Sequence, residues 1–182
     1  MQTTEKLAIL YLRFNGFFVM PHFTVFGDKG SRHVDILGVR LAGSEEKVDE
    51  DKVLCRDDEF IEKLAGNNAD IFLWAEVGIR YKGSEFVPTK EDYCKKIFGN
   101  KGELKKVYFD FSQLGEEFDS NGEVLIVPRD RCGGFVLRRF SQMTSEPIIK
   151  ALNRFTKKGS WNWSEEFLGD LLYLKKIGLL KE

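Results

Sequence analysis

Ile71-Phe72-Leu73-Trp74-Ala75-Glu76-Val77-Gly78-Ile79 is an apolar run with a single carboxylate in it. Successive strand side chains point to opposite faces, so Ile71, Leu73, Ala75, Val77 and Ile79 make one wholly apolar side. Asp70, Phe72, Trp74, Glu76, Gly78, Arg80 and Lys82 make the other, which turns from aromatic to charged at Glu76. The pattern predicts a strand over 70–81, with Glu76 at the margin of the core. A second run, Arg32-His33-Val34-Asp35-Ile36-Leu37-Gly38-Val39, carries Asp35 on the same side as His33 and Leu37. A carboxylate alone in apolar surroundings is costly and must be neutral, paired or facing a cation. Two such acids on neighbouring strands would offer oxygen ligands to a divalent cation. The alternative is that each is a salt-bridged or hydrogen-bonded strand residue.

Outward from these strands, the elements follow from periodicity and turn chemistry. Leu7, Leu10, Tyr11 and Phe14 have helical spacing, Thr3 or Thr4 suits the start, and Asn15-Gly16 supplies the stop. Strands are predicted over 17–26 and 32–41, joined as a hairpin through Gly27-Asp28-Lys29-Gly30. Positions 42–69 are polar and acidic, with one short helix around 57–64. A helix over 90–98 follows Pro88, then a strand over 106–111. Further strands are predicted over 123–128 and 135–140, and helices over 147–157 and 164–179. The last has an apolar face of Phe167, Leu168, Leu171, Leu172 and Leu174. The fold class is α/β, a mixed sheet flanked by helices in the order helix, three strands, helix, strand. The main domain spans 1–142 with an insertion at 42–69, and 143–182 is a helical extension packed on it or on a partner.

With 182 residues, 42% hydrophobic and 31% charged, the chain can bury one substantial core. No apolar stretch is long enough to span a bilayer, and the start shows no secretory pattern, so a cytoplasmic protein without membrane partners is expected. Cys55, Cys94 and Cys132 lack metal-ligand spacing and read as reduced thiols. A net charge of −1 argues against a protein coated in basic residues for non-specific nucleic-acid binding, while leaving room for a local basic stripe. Phosphate loops, nucleotide fingerprints and nucleophile elbows are absent from the sequence.

Glu5 in the opening helix, Asn15-Gly16-Phe17, Val34-Asp35-Ile36-Leu37-Gly38 and Leu73-Trp74-Ala75-Glu76-Val77 together resemble the PD-(D/E)XK, or restriction-endonuclease-like, nuclease superfamily. Archaeal Holliday-junction resolvases and Mrr-type restriction nucleases carry the nearest version of the pattern, and the resemblance covers about residues 1 to 112. It implies hydrolysis of DNA phosphodiester bonds with Mg²⁺ or Mn²⁺. Asp35 and Glu76 would be metal ligands, the Val77 carbonyl would complete the protein share, and Glu5 would assist. Glu5 equally suits its position as an acid in a helix's first turn. A homodimer through the apolar C-terminal helix also follows from the resemblance. The alternative is an inactive relative that uses the scaffold to bind nucleic acid or protein.

The pattern departs from the family at Gly78, where a lysine is expected two residues after the second acid. A cation would then come from elsewhere. Arg80 lies on the same strand face but roughly 13 Å along from Glu76, and it could clamp a phosphate without acting as a base. Lys95 and Lys96, on the helix behind the strand, are the other candidates, or else a solvated helix face. His33 reads either as a proton shuttle near Asp35 or as a structural donor, and His22 has less support.

Overall fold

Helix α1 (Thr3–Phe14) buries Ala8, Leu10, Tyr11, Leu12 and Phe14, the stripe that its spacing predicts. The computed structural model describes residues 2–27, 30–44, 47–49, 52, 53, 57–65, 68–112, 124–129, 131 and 132. The helix begins one residue earlier than either threonine could cap. Gln2 is the N-cap, and Glu5 turns back to accept the Gln2 N–H at 2.8 Å. Such a contact satisfies a main-chain donor that the helix leaves without a partner. At the other end Gly16 takes φ 82, and a Cβ there would stand 3.0 Å from the Ser44 carbonyl oxygen. Glycine suits both the left-handed backbone and the close approach.

Strands β1 (Phe18–Gly27) and β2 (Gly30–Arg40) form the predicted antiparallel hairpin, closing with Gly27 opposite Gly30. A short antiparallel pair follows, β3 (Lys47–Asp49) and β4 (Lys52–Val53), which the sequence reading did not anticipate. Then come α2 (Asp58–Leu64), β5 (Ile71–Gly78), α3 (Pro88–Phe98), β6 (Leu104–Asp110) and β7 (Val124–Pro128). The main sheet has the order β1-β2-β5-β6-β7, antiparallel across the first three strands and parallel across the last three. The strand and helices predicted beyond 133, with the extension at 143–182, lie outside the described residues.

Alternation along β5 divides the core as predicted. Leu73 and Ala75 pack with α1, with Phe60 and Ile61 of α2 and with Val107 and Phe109 of β6. Trp74 packs on the opposite face against Cys94 of α3, with its ring 4.8 Å from that of Phe86. Each fully buried large apolar side chain contributes about 1.5–3 kcal/mol. Position 42–69 is therefore more than a surface insertion, because Phe60, Ile61 and Leu64 are core residues.

A polar knot ties that segment down. Asp57 caps α2 through the Phe60 N–H, accepts the Tyr11 hydroxyl at 2.7 Å and gives its own N–H to Asn15 Oδ1. Arg40, fully buried, donates from Nε to the Asn15 carbonyl and from Nη2 to that of Ser44. Buried polar groups persist where they are paired in this way. Cys94 and Cys132 are buried. No described helix is long and apolar enough to cross a membrane.

Candidate functional site

Trp74 and Glu76 share a face of β5, and the Trp74 indole N–H donates to Glu76 Oε1 at 2.7 Å. The same oxygen accepts Lys90 Nζ at 2.8 Å. Both partners are largely enclosed, with the Lys90 side chain 14% and the Glu76 side chain 9% exposed. Burial pushes the Glu76 carboxyl up to about 7. The Lys90 hydrogen bond opposes the rise and the Asp35 charge adds to it. Cys94, one turn beyond Lys90 on α3, is pushed up to about 12 by burial, with Glu76 adding to the effect.

Lys90 reaches Glu76 because of topology. Strands β5 and β6 are parallel, so the helix between them runs back along the sheet and its first turn lies near the carboxyl end of β5. A cation in a helix's first turn runs against the dipole. Glu76 offsets that penalty, and Glu91 also stands in this turn.

Asp35 meets Glu76 from the neighbouring strand. The β2–β5 ladder reaches Ile36 opposite Ala75, so one step further Asp35 falls opposite Glu76. There the Asp35 carboxylate replaces a main-chain acceptor, Oδ2 taking the Val77 N–H at 2.8 Å. On the other side, the pairs Pro21·Ile36 and Phe23·Val34 bracket His22 opposite Asp35, and His22 has φ 53. A positive φ is uncommon in a residue with a side chain and marks a local distortion of the strand.

The space beside Gly78 is filled from β6. Tyr108 is the register partner of Glu76, and a Cβ at Gly78 would fall on the Tyr108 hydroxyl. Tyr108 is buried, and burial with the charges of Glu85, Asp110, Asp35 and Glu76 raises its hydroxyl well above the usual range. It stays a neutral phenol.

Among the described residues Arg80 makes no hydrogen bond or ion pair to Asp35 or Glu76. Its side chain is exposed and its backbone takes φ 91, while Asp110 accepts the N–H groups of Arg80 and Tyr81 at 3.0 and 3.2 Å. These bonds and that of Ser112 hold the Asp110 carboxyl below its ordinary value, against the opposing effect of burial. They also end β5 at Gly78, leaving Ile79 76% exposed rather than in the predicted strand.

The remaining candidates make other contacts. Glu5 is occupied with its own helix start and with His22 Nε2 at 3.4 Å. His33 is exposed, its Nδ1 3.1 Å from the Thr24 hydroxyl. Lys95 pairs with Glu91 at 2.6 Å, and Lys96 lies over the Tyr93 ring. On α3 it is Lys90, in the first turn, that contacts Glu76, while the contacts of Lys95 and Lys96 are made elsewhere. The missed signal was Lys90 itself, a cation in a first helical turn behind a strand bearing a buried acid.

For a metal, the donors are one oxygen from each central acid. Asp35 Oδ2 and Glu76 Oε1 are engaged, and among the described residues no hydrogen bond reaches Asp35 Oδ1 or Glu76 Oε2. Among the described residues no group of three or more His, Cys, Asp or Glu side chains could hold a metal ion. Two carboxylates suit magnesium, which takes one or two and completes its shell with water and substrate phosphate. They do not suit a caged structural metal. No family model matches the chain, and no curated protein or solved structure is similar to it at a significant level.

Proposed function

We propose that the chain is a divalent-metal-dependent nuclease hydrolysing DNA phosphodiester bonds on a restriction-endonuclease-like sheet, with Lys90 as the cation that Gly78 does not supply. The contact between Lys90 Nζ and Glu76 Oε1 carries this reading, because it brings an acid, a neighbouring acid and an ammonium to the end of β5. The element order supports it as well, with a helix, an antiparallel three-strand meander and a parallel crossover strand.

Asp35 and Glu76 would hold Mg²⁺ or Mn²⁺ through their outer oxygens. The bound ion would polarise the scissile phosphate and lower the pKa of an attacking water. Asp35 is oriented by the Val77 N–H, and Glu76 by the Trp74 indole. Lys90, released in part from Glu76 as positive charge arrives there, would face the phosphate and steady its developing negative charge.

A second reading has its own support. Glu76 Oε1 already accepts two donors in a site with little exposure, which is how a structural buried acid is satisfied. The chain would then be an inactive nuclease-fold module binding nucleic acid or protein.

Manganese titration by calorimetry, with and without a DNA duplex, separates the two. Heat that vanishes in Glu76→Ala, together with cleavage of branched, nicked or linear DNA that is lost in Lys90→Ala, is the result expected of the nuclease. Absence of heat at millimolar manganese in both conditions leaves the module.

A further inference from the structure

Tyr108 is only 2% exposed, yet among the described residues no hydrogen bond reaches its hydroxyl. Tyr11 shows the ordinary case, a buried phenol donating to Asp57 Oδ2 at 2.7 Å. Leaving such a group without a partner costs free energy, and in native structures it calls for an explanation. Gly78 makes the room, since any Cβ there would collide with the hydroxyl. Tyr81 and Phe86 pack beside the ring, the Tyr81 ring lying 5.0 Å away. Packing thus fixes the ring, and the glycine lets its polar end stand one step beyond Glu76 along the same face of β5.

Four acids act on the hydroxyl, Glu85 most strongly and then Asp110, Asp35 and Glu76. Their printed hydrogen bonds go to other donors. Asp110 accepts the N–H groups of Arg80, Tyr81 and Ser112. Glu85 Oε1 accepts that of Lys82 at 2.9 Å. Asp35 Oδ2 takes the Val77 N–H, and Glu76 Oε1 takes Trp74 and Lys90. Burial and these charges keep the phenol protonated, so it is placed to give a hydrogen bond. An anion entering alone would be repelled by the acids. A divalent cation on Asp35 and Glu76 reverses the local field, and an anionic oxygen bound to it then meets a donor on β6.

We propose that Tyr108 is a further substrate-binding residue, its hydroxyl donating a hydrogen bond to a non-bridging oxygen of a phosphodiester ligated to the cation on Asp35 and Glu76. The phosphodiester rests on the proposed nuclease reading, whereas the unpaired hydroxyl and the glycine that admits it do not. Lys90 supplies charge from the helix, and Tyr108 supplies a directed donor from the neighbouring strand. Gly78 then belongs to the site through the tyrosine it accommodates. A donor left unpaired in the free chain and satisfied by its ligand is a cost in stability accepted for binding. Removing it should therefore harm binding and spare the fold.

The test compares the full chain with Tyr108→Phe, using the dinucleotide thymidylyl-thymidine as phosphodiester probe. Thermal unfolding in EDTA should show the variant melting no lower than the wild type. Calorimetry should show equal manganese affinity, with the dinucleotide held about tenfold more weakly by the manganese-loaded variant, the loss of one hydrogen bond to a charged group. In chain labelled with ¹³C at tyrosine Cζ, the resonance that Tyr108→Phe removes should shift when dinucleotide is added with Mg²⁺, and stay in place when it is added in EDTA. A lower melting temperature for the variant would show that the hydroxyl is bonded within the fold, and weaker manganese binding would assign it to the carboxylates. Equal dinucleotide affinities or an unmoved resonance would show that it does not meet the phosphate. Each of these overturns the role of Tyr108 and leaves a manganese-binding wild type as the proposed nuclease. A wild type that binds no manganese defeats the nuclease reading itself, and the phosphodiester role of Tyr108 with it.

Discussion

Lys90 Nζ stands 2.8 Å from Glu76 Oε1, joining the first turn of α3 to the carboxyl end of β5 with both side chains mostly withdrawn from water. Removing one member of an enclosed pair leaves the other charge uncompensated, which costs more than the pair itself contributes. Lys90→Met should lower stability by about 3 kcal/mol at pH 8. At pH 5 the loss should be less than half of that, because Glu76 escapes by taking a proton. Urea unfolding of Lys90→Met, Glu76→Gln and the double variant measures this. A double variant no more stable than Lys90→Met at pH 8 would refute it.

Glu76 gives the fold a pH dependence of defined sign. Its carboxyl rises from 4.5 to about 7 in the folded chain, chiefly through burial. A group raised in this way adds stability that is complete below its unfolded value and is lost as pH climbs through the folded one. The window is therefore about pH 4.5 to 7. The change amounts to about 3 kcal/mol. Denaturation at pH 5 and pH 8 should show the wild type losing stability relative to Glu76→Gln, which mimics the neutral form. Parallel pH profiles for the two proteins would be the contrary outcome.

Gly78 and Tyr108 occupy the same space by turns. Gly78→Ala should cost about 1–3 kcal/mol, as overpacking does. Tyr108→Phe removes the hydroxyl that a new Cβ would strike, although ring carbon Cζ would remain 3.2 Å away. The alanine should accordingly cost less in a Tyr108→Phe background, read as the coupling energy of a thermal-unfolding cycle. Additive effects would show that the two positions do not compete. Gly78→Lys alone should not create a working site, since the tyrosine already stands there.

Asn15 links three elements through its two side-chain bonds and its carbonyl. Asn15→Ala should destabilise the fold by about 2–3 kcal/mol, since the Asp57 N–H loses its acceptor in a buried setting. Limited proteolysis should then cut first between 42 and 69. Unchanged stability and an unchanged cleavage pattern would show that the segment is held by its apolar residues alone.

Local pattern determined much of this protein. The alternation around Glu76 settled that β5 would bury two faces, the stripe from Leu7 to Phe14 settled α1, and Gly27 and Gly30 settled the hairpin, because each depends on residues within one or two turns of chain. Both central acids were visible for the same reason, as charges set in apolar strands. Tertiary structure decided what those acids touch. The choice of Lys90 over Lys95 or Lys96 depends on the direction in which a crossover helix returns, and that direction was implied by parallel β5 and β6 rather than by any residue in the helix. The filling of Gly78 by Tyr108 depends on strand register, which sets residues thirty positions apart side by side. Glu5 and Asp57 show the same division. Each is an acid at a helix start in the sequence, yet only folding gives one of them His22 and the other Tyr11, because side-chain partners are chosen by distance in space and spacing along the chain fixes only the face on which they begin.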